Sequence, residues 1–478
     1  MRRILSERTG VMLIVLWCGL LALAAQQGQR HVTGQYAEIS AARKADEAAW
    51  AGKRARLVAI EGGSAHPEAF GDPRSPTNSV MGRSGERPIV LVPTPLATLS
   101  GGAGDLAPAV LLAGMITKLI GPAQSIENPA NRLAGPLDLT FVVSALLPLF
   151  VLALSFDVLA RERDAKIWPL LASQPTSLPH IVAARLAVHF AALWLPLVVA
   201  VSVSALQSHS SADPLLPTVG EIALWLVIAA GYLLFWQLLA AALNFRAGAS
   251  ASNAVSLAGA WLAAVLLIPS GVDAAVQALA PPPDRREFLL EVRGIETDLF
   301  KRADALREAY DAAHPGQRPQ GPLNEFDTYF VENLYPRALA TDAALAPALT
   351  RLVEERAAQA RWWRRLAWLS PTLAFRLATE QLAGVTPVQR QVLQTRAKEF
   401  QNEMRAVFGA HVASMRPLTL ADYDRTPEPS TVRLAFRDRF ALAFPSLLGL
   451  AASLVAVMAT AIALARGNRV PAPLNFRS

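Results

Sequence analysis

One cysteine, Cys18, occurs in 478 residues, so no intramolecular disulfide can form and no cysteine-based zinc site exists. Any part of the chain facing an oxidising compartment must hold itself together by packing. Charge is scarce too. Only 17% of residues are Asp, Glu, Lys or Arg against 53% hydrophobic, a balance too apolar for an ordinary soluble chain of this length. The chemistry-bearing motifs are missing: there is no GxxxxGK[ST] phosphate loop, no HExxH and no GxSxG elbow. The histidines, His31, His66, His180, His189, His209, His314 and His411, are scattered and include no close pair able to hold a metal. A net charge of +7 is not gathered into a basic stripe with interleaved aromatics, so nucleic acid is not an expected partner. No catalytic residue, bound cofactor or metal site is expected, and any ATP hydrolysis has to come from another chain.

What the chain does have is hydrophobic length. Residues 137–175, LDLTFVVSALLPLFVLALSFDVLARERDAKIWPLLASQP, pass from an apolar run into a compact charged cluster and then a short amphipathic segment closed by proline. About twenty residues at 1.5 Å each cover roughly 30 Å, the hydrocarbon thickness of a bilayer. Comparable runs lie at about 10–25, 181–206, 221–243, 251–269 and 440–465. The expectation is an all-α polytopic membrane protein with six transmembrane helices and two mainly helical extracytoplasmic domains. Its expected parts are an N-terminus and first span (1–25), a periplasmic domain (26–136), and spans two to five with a cytoplasmic segment at 159–180 (137–269). A second periplasmic domain (270–439), the sixth span (440–465) and a cytoplasmic tail (466–478) complete it.

Orientation follows from the short flanks, where Lys and Arg are retained in the cytoplasm. Arg2, Arg3 and Arg8 precede span one, Arg161, Arg163 and Lys166 follow span two, Arg246 follows span four, and Arg466, Arg469 and Arg477 follow span six. The connection QSHSSADPLLPTVG between spans three and four has neither Lys nor Arg. Six alternating spans put all the basic flanks on one side, so both termini are expected in the cytoplasm. Span one also imitates a secretory signal, with a short apolar run ending in LALAAQQ, and a mature chain starting near Gln26 stays open as an alternative.

The first outer segment is expected to open with helix, because no Gly or Pro falls between Gly34 and Gly52, and then to turn loop-rich over 62–87 before a short strand at Ile89 to Val92. The second starts after the prolines at 281–283. There Phe288, Val292, Ile295 and Leu299 mark an amphipathic helical face, with further helices expected over 338–365 and 387–408. In RWWRRLAWLSPTLAFRLATEQLAG, Trp362, Trp363, Trp368, Leu369 and Phe375 alternate with Arg361, Arg364 and Arg365. This composition suits either a helix in the headgroup layer, beside a lateral route for a lipid-like substrate, or ordinary core packing. Among polar residues in the spans, Arg185 lies near the cytoplasmic end of span three and can snorkel, while Asp138 suits a helix N-terminus. Gln237 and Asn253 suit either interhelical hydrogen bonds or a substrate path. No span holds the chain of carboxylates expected of a proton-coupled carrier.

The link after span two, SFDVLARERDAKIWPLLASQPTS, resembles the segment of ABC-2 type permeases in which an arginine and glutamate pair precedes a short helix that docks on the ATPase. PTPLATLSGGAGDL, SIENPANRLAGPLDLTFVVSALLPLF and LSPTLAFRLATEQLAG are similar to segments of the bacterial branch of that family with two large periplasmic insertions. The resemblance implies that Asp157, Arg161, Glu162, Leu170, Leu171 and Pro175 are ATPase-coupling positions. The residues themselves add Trp168, which with Ile167, Leu170 and Leu171 offers an apolar surface to a partner groove. Where the family usually places a glycine soon after the Arg-Glu pair, this chain has Asp164, Ala165 and Lys166. The expectation is thus a permease subunit of an ATP-binding-cassette transporter in the bacterial inner membrane. It would dimerise with itself or with a sibling permease among membrane lipid, and be driven by a separate ABC ATPase subunit carrying ATP and magnesium. A protein that signals to a periplasmic partner without moving substrate is the alternative.

Overall fold

A computed structural model describes residues 8–68, 71–101, 108–119, 137–166, 178–207, 215–246, 248–319 and 323–467. Among them are six helices long and apolar enough to cross a membrane: Arg8–Glu61, Leu139–Asp164, Pro179–Gln207, Leu215–Phe245, Ser250–Leu279 and Phe436–Arg466, here spans one to six. Each of the six apolar runs coincides with one of these helices, the second run starting two residues before its helix. The molecule is an α-helical membrane protein with one small sheet in a head outside the bundle.

Span one does not stop where its apolar residues end. It continues as one helix of 54 residues to Glu61, about 80 Å, well over the roughly 30 Å that hydrocarbon requires. The apolar run and the Ala, Glu, Lys and Arg-rich stretch beyond it join because no proline separates them. A single stripe of buried positions, including Trp17, Leu21, Ala24, Gly28, Val32 and Ile39, follows i, i+3, i+4 spacing from bilayer to head. The rod enters the head through Asp46, whose carboxylate takes a forked ion pair from Arg87 at 2.8 Å, both side chains almost fully buried.

In the head, β1 (Arg87–Leu91) lies between β2 (Val110–Ala113) and β3 (Thr431–Val432). β1 and β2 are antiparallel with Val90 opposite Val110, and β1 and β3 are parallel with Val90 opposite Thr431. The strand expected at Ile89 to Val92 is therefore the centre of the sheet. The two outer segments, read from the sequence as two domains, share this sheet and one core in which Leu57, Ile89 and Ala113 meet Phe400, Phe408 and Val412. Neither segment has enough alternating strand to close a sheet alone, which is why they combine.

The second outer segment supplies α1 (Arg285–Lys301), α2 (Ala303–Ala313), α3 (Tyr335–Leu366), α4 (Pro371–Ala383) and α5 (Pro387–Ser414). After the proline stop, Asp284 caps α1 by accepting from the backbone N–H of Arg286 and Glu287. α5 packs on β1 and β2. α3 runs down beside span five, breaks at Ala367–Leu369, and α4 returns between spans four and six.

This pair is a hairpin that dips into the bundle. Gly449, which abuts the Trp368 ring, lies about 20 Å along span six from Phe436. Phe375 is fully buried and stacked on Tyr232 of span four at 4.7 Å between ring centroids. Trp362 and Trp363 are half-buried against Val272 and Val276 of span five, whereas Trp368 and Leu369 at the tip are exposed. The aromatic stretch thus divides. Phe375 packs the core, and the exposed tip faces whatever surrounds the bundle.

Candidate functional site

Span two ends in a turn over 156–159 and a short helix, Ala160–Asp164, the described part of the link between spans two and three. A helix start leaves backbone N–H groups without internal partners. Here a residue from another span supplies the cap. The Asn244 Oδ1 atom of span four accepts from the backbone N–H of Leu159 at 3.0 Å and of Ala160 at 3.3 Å. Its Nδ2 donates to the carbonyls of Ser155 and Ala240 at 3.0 and 2.9 Å, and Asn244 is fully buried. Asn253 of span five donates to Asn244 Oδ1 and to the Phe156 carbonyl.

Charged groups complete the elbow. Glu162 is buried and pairs with Arg185 of span three at 2.7 Å, while Arg185 also donates to the Val158 carbonyl. Arg163 donates to the Asn244 carbonyl at 2.9 Å, and Asp164 accepts from the backbone N–H and hydroxyl of Ser250 at the start of span five. Arg185 therefore turns into the elbow and pairs, where snorkelling was the expectation. The elbow helix closes on Lys166 with φ of +59°, a left-handed conformation that favours glycine, near where the resembled family places one.

Of the expected coupling residues, Asp157, Arg161 and Glu162 lie within this elbow, with Glu162 buried, Asp157 half-buried and Arg161 exposed. Trp168, Leu170, Leu171 and Pro175 lie outside the described residues. Asn253 makes the interhelical bonds that suited it, whereas the buried Gln237 amide nitrogen has no partner among the described residues.

A second constellation sits at the opposite end of the same spans. Asp138 caps span two, accepting from Phe141 N–H at 2.6 Å and also from Gly101 N–H at 2.7 Å. Glu221 near the start of span four pairs with Arg439 of span six at 2.6 Å, both side chains under a tenth exposed, and Arg439 donates onward to the Leu382 carbonyl of α4. The Thr94 hydroxyl donates to the Ala383 carbonyl at 2.6 Å, and α4 ends on Gly384 with φ of +68°, where a Cβ would lie 2.2 Å from Gln389. On span one, a Cβ at Gly28 would lie 1.9 Å from the Thr98 carbonyl oxygen, so only glycine admits that loop. Segments of PTPLATLSGG, LDLTFVV and LSPTLAFRLATEQLAG thereby meet at one joint between bundle and head.

Between elbow and joint, two π-turns present backbone carbonyls to side-chain donors, and the hairpin is held to one of them directly through Ser370 and to the other through Tyr232. Span two has a π-turn at Val142–Leu146 and span five one at Leu262–Leu267. Tyr232 donates to the Ser144 carbonyl at 2.6 Å and shares a hydrogen bond with Thr372, Trp261 donates to the Ala145 carbonyl, and Ser370 donates to the Ala264 carbonyl. Backbone that leaves regular helix at membrane depth is stable only when protein groups satisfy it, and these donors do so.

Asn244, Glu221, Arg439 and Gly384 escape a sequence reading. Their signal is faint: a lone amide two residues before Arg246, and single charges where two apolar runs begin. Among the described residues no group of three His, Cys, Asp or Glu side chains could hold a metal ion.

The profile of a family described as "Domain of unknown function (DUF3526)" matches residues 285–429. That stretch runs from the start of α1 to just before β3, and so contains the hairpin and α5 as well as the head helices. No curated protein and no solved structure matches the chain.

Proposed function

We propose that this chain is the membrane subunit of an ATP-binding-cassette transporter of the ABC-2 type. A separate ATPase would seat on the link at 159–180 through Trp168, Leu170, Leu171 and Pro175, and hold ATP and magnesium itself. The observation that carries this reading is the clamp of Asn244 on the backbone of Leu159 and Ala160, together with the buried Glu162–Arg185 pair. A link that only changed direction between two spans could be a loosely hydrated loop. One hydrogen-bonded to spans three, four and five moves with them when pushed. Spans two and four, the most buried of the six, carry the displacement past the hairpin to the joint at Glu221 and Arg439. ATP can shift the bundle only if the ATP-bound motor favours one of two arrangements of the elbow over the other. Two such subunits, identical or siblings, would face one another across the route.

The test begins with purification in mild detergent and identification of co-purifying chains, an ATPase being the expected partner. Glu162 is a poor choice for charge reversal, because a lysine there would meet Arg185 in a buried site. Arg161 is exposed, so Arg161→Glu leaves the clamp intact and is expected to reduce stimulation of the partner ATPase at least tenfold with insertion unchanged. Full stimulation in Arg161→Glu combined with Trp168→Ala would count against the assignment.

The continuous helix of span one favours a second reading, in which ATP-driven motion reshapes the head to signal to a periplasmic partner and no substrate crosses. A rigid rod fixed in the head by Asp46 and Arg87 transmits tilt directly. The readings separate on what stimulates ATP hydrolysis: a protein added on the head side, or a small or lipid-like molecule.

A further inference from the structure

Spans one and three leave between them a groove of about 960 Å³ that nothing in the coupling scheme uses. Its lining includes the buried Leu21 and the half-buried Ala25 of span one and the half-buried Pro196 and Ala200 of span three. The two helices meet through Trp17, Leu21 and Ala24 on one side and Leu193, Leu197 and Val201 on the other, with Trp17 donating to the Leu193 carbonyl at 3.0 Å, and the groove lies beside that contact. The lip is formed by Leu195 and Val199, both exposed, so the groove opens sideways to the bilayer and not to water.

The polarity along the groove changes once. From Cys18 to Ala25 its lining on span one is apolar, and at the head end it turns polar, with Arg30 on span one and Gln207 on span three. Among the described residues Arg30 is the only charged one in the lining. Counted along the helix, Arg30 stands about 33 Å from Arg8, one hydrocarbon thickness away, and Cys18 about half as far. The groove therefore covers the head-side leaflet, its apolar part at acyl-chain depth and its one cation at headgroup depth. A dry apolar cleft of this size inside hydrocarbon fills with chain. A molecule with one anionic end and an otherwise apolar body matches the lining along its whole length, whereas a helix from a second copy would leave Arg30 to find its own counter-charge.

We propose that the groove between spans one and three is a binding site for an anionic phospholipid of the head-side leaflet, its acyl chain along Ala22, Ala25 and Ala200 and its phosphate beside Arg30. The site rests on the membrane-spanning helices and not on the coupling assignment, so it stands whether or not an ATPase docks on the elbow.

The test uses the full chain in nanodiscs of equal phosphatidylglycerol and phosphatidylcholine, with retained lipid counted by native mass spectrometry after gentle extraction. The wild-type chain is expected to retain phosphatidylglycerol over phosphatidylcholine by at least fivefold. Arg30→Gln, an exposed position whose change leaves packing intact, is expected to bring the two to parity while total retention falls less. Ala200→Trp, which fills the channel, is expected to remove both. Spin-labelled lipid reads the same site independently: spin-labelled phosphatidylglycerol should show a larger motionally restricted fraction than spin-labelled phosphatidylcholine, a difference that Ala200→Trp abolishes. Equal retention of both lipids by the wild-type chain, or no change in Arg30→Gln, would overturn the proposal. Formation of a Cys18-to-Cys18 disulfide between copies on mild oxidation would do so too, because it places a second copy in the groove.

Discussion

The two ends of spans two and four solve the same problem differently. At the elbow, neutral amides Asn244 and Asn253 satisfy the backbone of a tight turn, and the Glu162–Arg185 ion pair is buried on its Glu162 side but leaves Arg185 28% exposed. At the joint, a nearly solvent-free ion pair, Glu221 with Arg439, and two glycine contacts lock three distant segments together. The elbow is hydrated at its rim and tolerates rearrangement, since water can replace an exposed guanidinium's partner. The joint cannot loosen without stranding a charge in a dry site. A motor pushing on the elbow would act on the adjustable end, and the head would feel the stiff one.

Breaking the joint is expected to have the largest effect. Arg439→Ala leaves the Glu221 carboxylate buried without its partner and is expected to cost about 3–5 kcal/mol, read as the midpoint of unfolding in mixed micelles. Arg185→Ala should cost distinctly less, about 1–3 kcal/mol, because water reaches the vacated position. Equal losses would erase the distinction between the two ends. Asn244→Ala at the elbow is expected to cost a similar amount, about 1–3 kcal/mol, since it leaves buried backbone N–H and carbonyl groups of the turn unpaired. Its sharper signature is faster hydrogen exchange at Leu159 and Ala160 than elsewhere in span two. At the joint, Gly28→Ala drives a methyl into the Thr98 carbonyl and is expected to cost about 1–3 kcal/mol, with proteolysis of the loop near Thr98 as a local readout.

A smaller effect tests the head alone. Burial opposes ionisation of Asp422, but hydrogen bonds from the Thr419 hydroxyl and backbone N–H, with His411 and Arg416 nearby, outweigh it and hold the carboxyl below the usual carboxylate range. A depressed carboxyl contributes stability that is present above its unfolded value of about 4 and is lost as pH falls through the lower folded value. The head should therefore weaken as pH falls below about 4, and Asp422→Asn should flatten part of that acid limb in a melting series. The smallest expected change is a gain: Lys166→Gly relieves a left-handed residue and should stabilise the elbow by about 1 kcal/mol or less. Lys166→Val in the same position should destabilise it.

Much of the membrane architecture was readable from local composition. Apolar runs marked the spans because burial in hydrocarbon demands length and a low charge count, both of which are properties of a window of sequence. The short strand at Ile89 and the cap at Asp138 were readable for the same reason, since β-branched runs and helix starts are written in adjacent residues. The hairpin was not. LSPTLAFRLATEQLAG carries a Pro, an Arg and a Glu and is too short to cross, so nothing local separates a dipping helix from a surface one. Its placement depends on the Ala264 carbonyl at the span-five π-turn and on the Tyr232 hydroxyl, itself bonded to the Ser144 carbonyl of span two, more than a hundred residues away. The elbow was half readable: the charge cluster ARERD announced a membrane boundary, but that Glu162 is buried and that Asn244 caps the turn depended on which spans stand next to it.

By itself, then, the sequence determined the solvent: six stretches that belong in hydrocarbon, a basic flank after the second, and a head that must fold without disulfides. Those are sums over neighbouring residues, and each can be evaluated without knowing where the rest of the chain goes. Only the tertiary structure decided that the two outer segments make one sheet, that span one runs on as a rod, and that Glu221 finds Arg439 at the base of the head. These are pairings between groups far apart in the chain. Each is favoured because a buried donor, acceptor or charge has to be satisfied by whatever partner the packed helices bring within about 3 Å.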